Sequence, residues 1–152
     1  MEFFDAIRKG DFEQVKEMIA SDTSLVSKPD SRGFTPLVMA TYSNQLEIAS
    51  LLLASGADIN AKDANGNTAL MGVCFKGPIE IVTFLLKSGS NVNEQNNSGA
   101  TALIYAATFG QNEIAELLLH HSADKTLTDK DGNSAFTHAK LKGNKFLIEL
   151  LG

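Results

Sequence analysis

Cysteine occurs once in this 152-residue chain, so no disulfide can close within it and a reducing compartment is open to it. Long apolar runs are missing too: none approaches the roughly 18 residues that a bilayer-spanning helix needs. The opening residues, Met1-Glu2-Phe3-Phe4-Asp5, lack the basic region and extended apolar stretch of a secretory signal. Together these absences predict a cytoplasmic protein with no membrane attachment. Positive charge is scarce as well. Thirteen Lys and Arg stand against 18 Asp and Glu, a formal net charge of −5. That balance argues against a protein built mainly to hold nucleic acid or an anionic membrane.

Catalytic and metal-binding patterns are also wanting. The three histidines are His120, His121 and His138. Adjacent helical residues do not converge on one ion, and no His/Asp/Glu spacing matches a zinc or hydrolase motif. No Gly-rich loop leads into Gly-Lys-Ser/Thr. Cys74 stands where its equivalents are Thr41 and Ala107, which marks it as a small core residue rather than a nucleophile. No enzyme activity, cofactor or metal is expected. Asn96-Asn97-Ser98 matches the glycosylation acceptor pattern, but without a secretion signal it reads as turn chemistry.

What is present is a period. Gly33, Gly66, Gly99 and Gly132 recur every 33 residues, and their surroundings recur with them. Asp30, Asp63, Asn96 and Asp129 precede them at one offset; Thr35, Thr68, Thr101 and Ser134 follow at another. A constant period of this length means one supersecondary unit copied and stacked, because a single unit cannot bury its apolar face alone. The hydrophobic fraction of 43% is enough for a continuous core.

Each unit opens with a turn. Asp or Asn at its first position can bond the backbone two residues on, and glycine tolerates the positive φ of a tight turn. The hydroxyl two residues after the glycine is the N-cap of a short helix, with Pro36 at the first helical position in one copy. Small residues fill that helix: Ala40-Thr41, Val73-Cys74 and Ala106-Ala107. A break follows at Asn44, Gly77, Gly110 and Gly143. The second helix carries apolar residues at helical spacing: Ile48/Leu51/Leu52, Ile81/Phe84/Leu85, Ile114/Leu117/Leu118 and Leu147/Leu150/Leu151. Gly56 and Gly89 end it as left-handed C′ residues, with Ser122 a less comfortable choice in the third copy.

These motifs resemble the ankyrin repeat, with its Asp-x-x-Gly-x-Thr-Pro-Leu-His opening, its Leu-Leu pair and its closing Gly-Ala-x-x-Asn, matched by Gly56-Ala57-Asp58-Ile59-Asn60. The resemblance covers essentially the whole chain. Two departures stand out: proline survives only as Pro36, and the motif histidine is replaced by Val38, Met71, Ile104 and Thr137. The resemblance implies an all-α solenoid of stacked helix-turn-helix units joined by β-hairpin-like turns. Residues 1–152 form one domain, with an N-cap over about 1–29, repeats over about 30–62, 63–95 and 96–128, and a C-cap over about 129–152. Gln14 and Glu17 give the first helix pair a polar outer face, and Lys140 replaces a small stacked residue in the last. Phe146 replaces Glu47, Glu80 and Glu113 at its position. It is either a contact or self-association point, a trace of a chain that once continued, or a ring tucked under its own repeat.

The family's partner contacts concentrate on turn tips and on the exposed part of the first helix. Carried over by register, the candidate partner-binding residues are Arg32, Phe34, Asn65 and Asn67 on turns and Met39, Tyr42, Phe75, Lys76, Tyr105, Phe109 and Lys142 on helices. Tyr42, Phe75, Tyr105 and Phe109 make an apolar stripe, with Phe34 at its edge. An exposed apolar strip rimmed by polar turns points to a partner site; the alternative is rings lying flat as local core, above all Phe75 beside Gly72. The expected function is non-catalytic binding of a protein on the concave face, by an adaptor or an inhibitor of another protein, as a monomer. The alternative is a structural protein that self-associates through the C-terminal cap.

Overall fold

The computed structural model describes residues 2–152. Among them are ten α-helices and one short 3-10 helix, and no strand. The inner helices are α1 (Phe3–Lys9), α3 (Pro36–Tyr42), α5 (Ala69–Lys76), α7 (Ala102–Thr108) and α9 (Ala135–Lys142). Each is followed by an antiparallel outer helix: α2 (Phe12–Ser21), α4 (Leu46–Ala54), α6 (Ile79–Lys87), α8 (Asn112–His120) and α10 (Lys145–Leu151). Consecutive inner helices pack on one another from α1 through α9, so the molecule is a stack in which each unit touches its neighbours.

The turn chemistry is the same in every copy. Asp30 Oδ1 accepts from the N–H groups of Arg32 and Phe34, both at 2.9 Å. Asp63 does so from Asn65 and Asn67, Asn96 from Ser98 and Ala100, and Asp129 from Asp131 and Asn133. Neighbouring tips are then tied together by backbone bonds: Ala64 N–H to Gly33 O, Asn97 N–H to Asn65 O, and Lys130 N–H to Ser98 O. Gly66 shows why glycine is needed there. Its φ is +78°, and a Cβ would come within 2.8 Å of the Asn97 backbone nitrogen.

After each turn Thr35, Thr68, Thr101 and Ser134 cap their helices by accepting from the N–H three residues on. The small residues Ala40, Thr41, Val73, Cys74, Ala106 and Ala107 are all buried between inner helices. Burial pushes the Cys74 thiol far above its ordinary range, so it stays neutral there. The outer helices supply the other half of the core, with Ile48, Leu52, Ile81, Leu85, Ile114, Leu118 and Leu147 almost fully buried.

The second break is less uniform than its spacing suggests. Asn44, Gly110 and Gly143 take left-handed φ values of 58° to 67°, whereas Gly77 sits at φ −73°, ψ 161°. Pro78 is the reason: a residue before proline is driven to extended backbone, and proline itself stands at the N-cap of α6. Ser122 adopts φ +69°, the strained left-handed conformation expected of it. In the first helix pair Val15 and Ile19 are buried while Glu17 is exposed. In the last, Lys140 is exposed and its ammonium lies 4.8 Å from the Phe136 ring centre.

Candidate functional site

Residues of the inner helices α1, α3, α5 and α7 and of the first two turns line one common surface. Between them runs a groove of about 640 Å³. Val38, Met39, Met71 and Gly72 form its floor, from α3 and α5. Tyr42 and Phe34 line it on the side of the first turn, and Phe75, Tyr105 and Phe109 on the far side. Arg8, Arg32, Ser43, Asp63 and Asn67 supply its polar groups.

The aromatic residues do not all behave alike. Tyr42, Phe75 and Phe109 remain 45%, 39% and 46% exposed, high for large apolar side chains. Phe75 does not fold over Gly72. It stands edge-on against Phe109, ring centres 4.6 Å apart and planes at 90°. Phe109 in turn lies 6.2 Å from Tyr105. Two cations sit over the outer rings: the Lys76 ammonium is 4.4 Å from the centre of Tyr42, and the Arg32 guanidinium 5.1 Å from that of Phe34. Phe34 and Tyr105 are half-buried.

Of the sequence-predicted residues, Arg32, Phe34, Met39, Tyr42, Asn67, Phe75, Tyr105 and Phe109 meet in this groove. Met39 departs from its expected exposure. It is only 7% exposed, because its side chain joins the core beneath Ser43, whose hydroxyl lies 3.7 Å from the Met39 sulfur. Lys76 reaches the rim through Tyr42. Asn65 is exposed on a turn tip and Lys142 on α9, both outside the groove lining.

Among the charged residues of the groove, Arg8, from the N-terminal helix pair, and Asp63 were not among the candidate partner-binding residues. Asp63 was read only as a turn-former, and Oδ1 does fill that role. The residue as a whole is nonetheless only 9% exposed, and it lines the groove. The usable signal was the residue nine positions on. In the third copy Asn96 Nδ2 donates to the Tyr105 hydroxyl at 2.7 Å and to Asn67 Oδ1 at 2.8 Å. In the fourth, His138 Nε2 lies 2.8 Å from Asp129 Oδ2. Burial pushes the Asp129 carboxyl up, but the hydrogen bonds from His138, Asn133 and Asp131 outweigh it and hold the group below the usual carboxylate range. In the second copy that position is Gly72, and nothing reaches Asp63 Oδ2.

The described residues hold no group of three or more His, Cys, Asp or Glu able to bind a metal, and no helix long and apolar enough to cross a membrane. His121 Nδ1 is 3.0 Å from the Leu117 carbonyl, which ties that ring to the end of its own helix.

Comparison with known proteins agrees with this architecture. A family model described as ankyrin repeats (3 copies) matches residues 3–63 and 55–129. Among curated proteins, the human DNA-binding protein RFXANK is 44% identical over 50 residues, which is 33% of this chain and 19% of that protein. Ankyrin repeat and SAM domain-containing protein 6 is 37% identical over 57 residues in Danio rerio and 36% over 59 in Rattus norvegicus. These matches take in 38% and 39% of this chain but only 8% and 7% of those relatives. The chain thus matches less than a fifth of the length of each of these relatives. Repeats of this kind are protein–protein interaction modules and generally non-catalytic. With the family model covering residues 3–129, the chain belongs to the ankyrin-repeat family.

Proposed function

We propose that the protein is a non-catalytic binding module whose concave groove grips a segment of one protein partner. A single observation carries the reading: three large aromatic side chains, Tyr42, Phe75 and Phe109, stay about half exposed around one groove although the stack does not need them there. Rings of this kind supply contact area at low rotamer cost and dominate interface energetics. The partner carries acidic groups beside an apolar anchor, since Arg8 and Arg32 lie in the groove and Lys76 on its rim. Its consequence in the cell is that of an adaptor or an inhibitor, and it acts as a monomer in the cytoplasm, a placement supported by a lone buried cysteine. Nucleic acid is not the ligand in this reading, because a net charge of −5 opposes the phosphate attraction on which such binding rests. The name DNA-binding belongs to the human relative.

The test is a comparative pull-down from native-source lysate with wild type and a Tyr42→Ala/Phe75→Ala/Phe109→Ala variant shown by circular dichroism to be folded. A protein captured by wild type and lost with the variant supports groove binding. A protein held equally by both moves the site to the turn tips or outer helices.

A second reading rests on two exposed apolar side chains at the C-terminal end. Leu141 is 71% and Phe146 44% exposed in the last helix pair, which would suit self-association through that end. Sedimentation at increasing concentration decides it, and a monomer throughout removes the idea.

A further inference from the structure

The column of side chains that closes each repeat over its own turn has one gap. Counting along the inner helices, the equivalent residues are Met39, Gly72, Tyr105 and His138. Tyr105 and His138 each place a polar tip against the turn residue nine positions earlier, Asn96 and Asp129. Gly72 has no side chain to do so. A Cβ built there meets no atom within 4 Å, and the residue is part of the groove floor.

The matching turn residue shows the same gap from the other side. Asp63 is the most buried of the four turn-opening residues, at 9% exposure. Oδ1 is occupied by the Asn65 and Asn67 N–H groups, while Oδ2 accepts no hydrogen bond among the described residues. The preceding turn cannot help, because Phe34 stands where Asn67 serves the third copy. Oδ2 still reaches solvent, and a ligand seated over it must supply a donor in place of water or leave the oxygen unpaired. The notch over Gly72 is therefore an apolar space with one acceptor at its end and aromatic rings around it.

We propose that the notch takes a tyrosine side chain from the partner, which completes the second repeat as Tyr105 completes the third. The ring fills the space above Gly72 between Tyr42 and Phe75, and the phenol O–H donates to Asp63 Oδ2. Acidic residues flank that tyrosine in the partner and meet Arg32, which comes from the first turn and lies over Phe34, and Lys76, which comes from the end of α5 and lies over Tyr42. This inference rests on the groove-binding function proposed above and adds the chemistry of its central anchor.

The molecule offers its own blocking variant. Gly72→Tyr, in a helical backbone with open space, puts the phenol in place intramolecularly and should fold at least as well as wild type. A random dodecapeptide phage library is selected on the whole protein. Clones are then scored on wild type, on Gly72→Tyr and on the folded triple-alanine groove variant, with thermal melting of both variants alongside. Enriched peptides should carry a tyrosine among acidic residues and bind the Gly72→Tyr protein at least tenfold more weakly. Replacing that tyrosine by phenylalanine should cost roughly tenfold on wild type, the worth of one hydrogen bond to a charged group. The phenylalanine comparison uses unmodified protein, so it stands even if Gly72→Tyr unfolds. Peptides that need the groove aromatics yet ignore the tyrosine hydroxyl, or bind Gly72→Tyr undiminished, overturn the tyrosine anchor and leave groove binding intact. A library that yields no groove-dependent peptide overturns both.

Discussion

The second and fourth copies of the repeat begin alike and finish differently. Asp63 and Asp129 each accept two backbone N–H groups through Oδ1, and Thr68 and Ser134 cap the helices that follow. In the fourth copy His138 then reaches back and binds the second carboxylate oxygen, so the inner face is closed by its own side chains. In the second copy glycine stands at that position, the carboxylate is left with a free oxygen, and the face is a groove. The local fold is indifferent to this choice. One residue per repeat, off the stacking seam, decides whether the turn carboxylate is closed by its own repeat or left open at the groove.

The largest effect should come from the seam, where both copies are bound to their neighbours. Leu85→Ala empties a fully buried site between packed units and should cost about 2–5 kcal/mol in chemical denaturation. Leu151→Ala, at the equivalent place in the last pair, should cost less, because Leu151 keeps 4% exposure where Leu85 keeps none. Equal losses would mean that the stack melts as a single unit with no weaker end.

Next comes the closing contact of the fourth copy. His138→Ala leaves a largely buried carboxylate oxygen without its donor, and should destabilise by about 1–3 kcal/mol. The same contact has a pH signature. Asp129 is held below its ordinary range in the fold, so its contribution is present above that range and is lost as pH falls through the lowered value. Asp22 and Asp124 are lowered too, chiefly by the hydroxyls of Ser24 and Thr126, so the acid limb must be compared between wild type and Asp129→Asn. The variant should lose part of the acid-side slope; an unchanged slope would separate the contact from stability.

At the open position the sign reverses. Gly72→Ala adds a methyl group into empty space within a helix and should stabilise by about 0.5–1 kcal/mol, read as a higher melting temperature. A loss instead would show that the second copy tolerates no side chain there. The smallest change is expected from Tyr42→Ala, roughly 0.5 kcal/mol, since the contact forfeited is that with the Lys76 ammonium at an exposed site. A loss as large as that of Leu85→Ala would make the aromatic stripe core rather than binding surface.

The 33-residue spacing and the Asx, hydroxyl and Leu-Leu positions were enough to lay out helices, caps and turns, because these depend on contacts within a few residues. Gly77 shows the limit of register: its neighbour Pro78, rather than its place in the repeat, set its backbone. For the site, the register placed Tyr42, Phe75 and Phe109 on one face, but it could not tell Met39, drawn into the core, from its exposed neighbours. Nor could it tell that Phe75 leans on Phe109 and leaves Gly72 uncovered.

By itself the sequence determined the repeat and the fold class, since periodic residues impose periodic local structure. Only the tertiary structure decided which side chains spend their surface on one another and which are left over. The free oxygen of Asp63 is the residue of that division, because whether a hydrogen bond is made depends on atoms brought together from separate turns and helices.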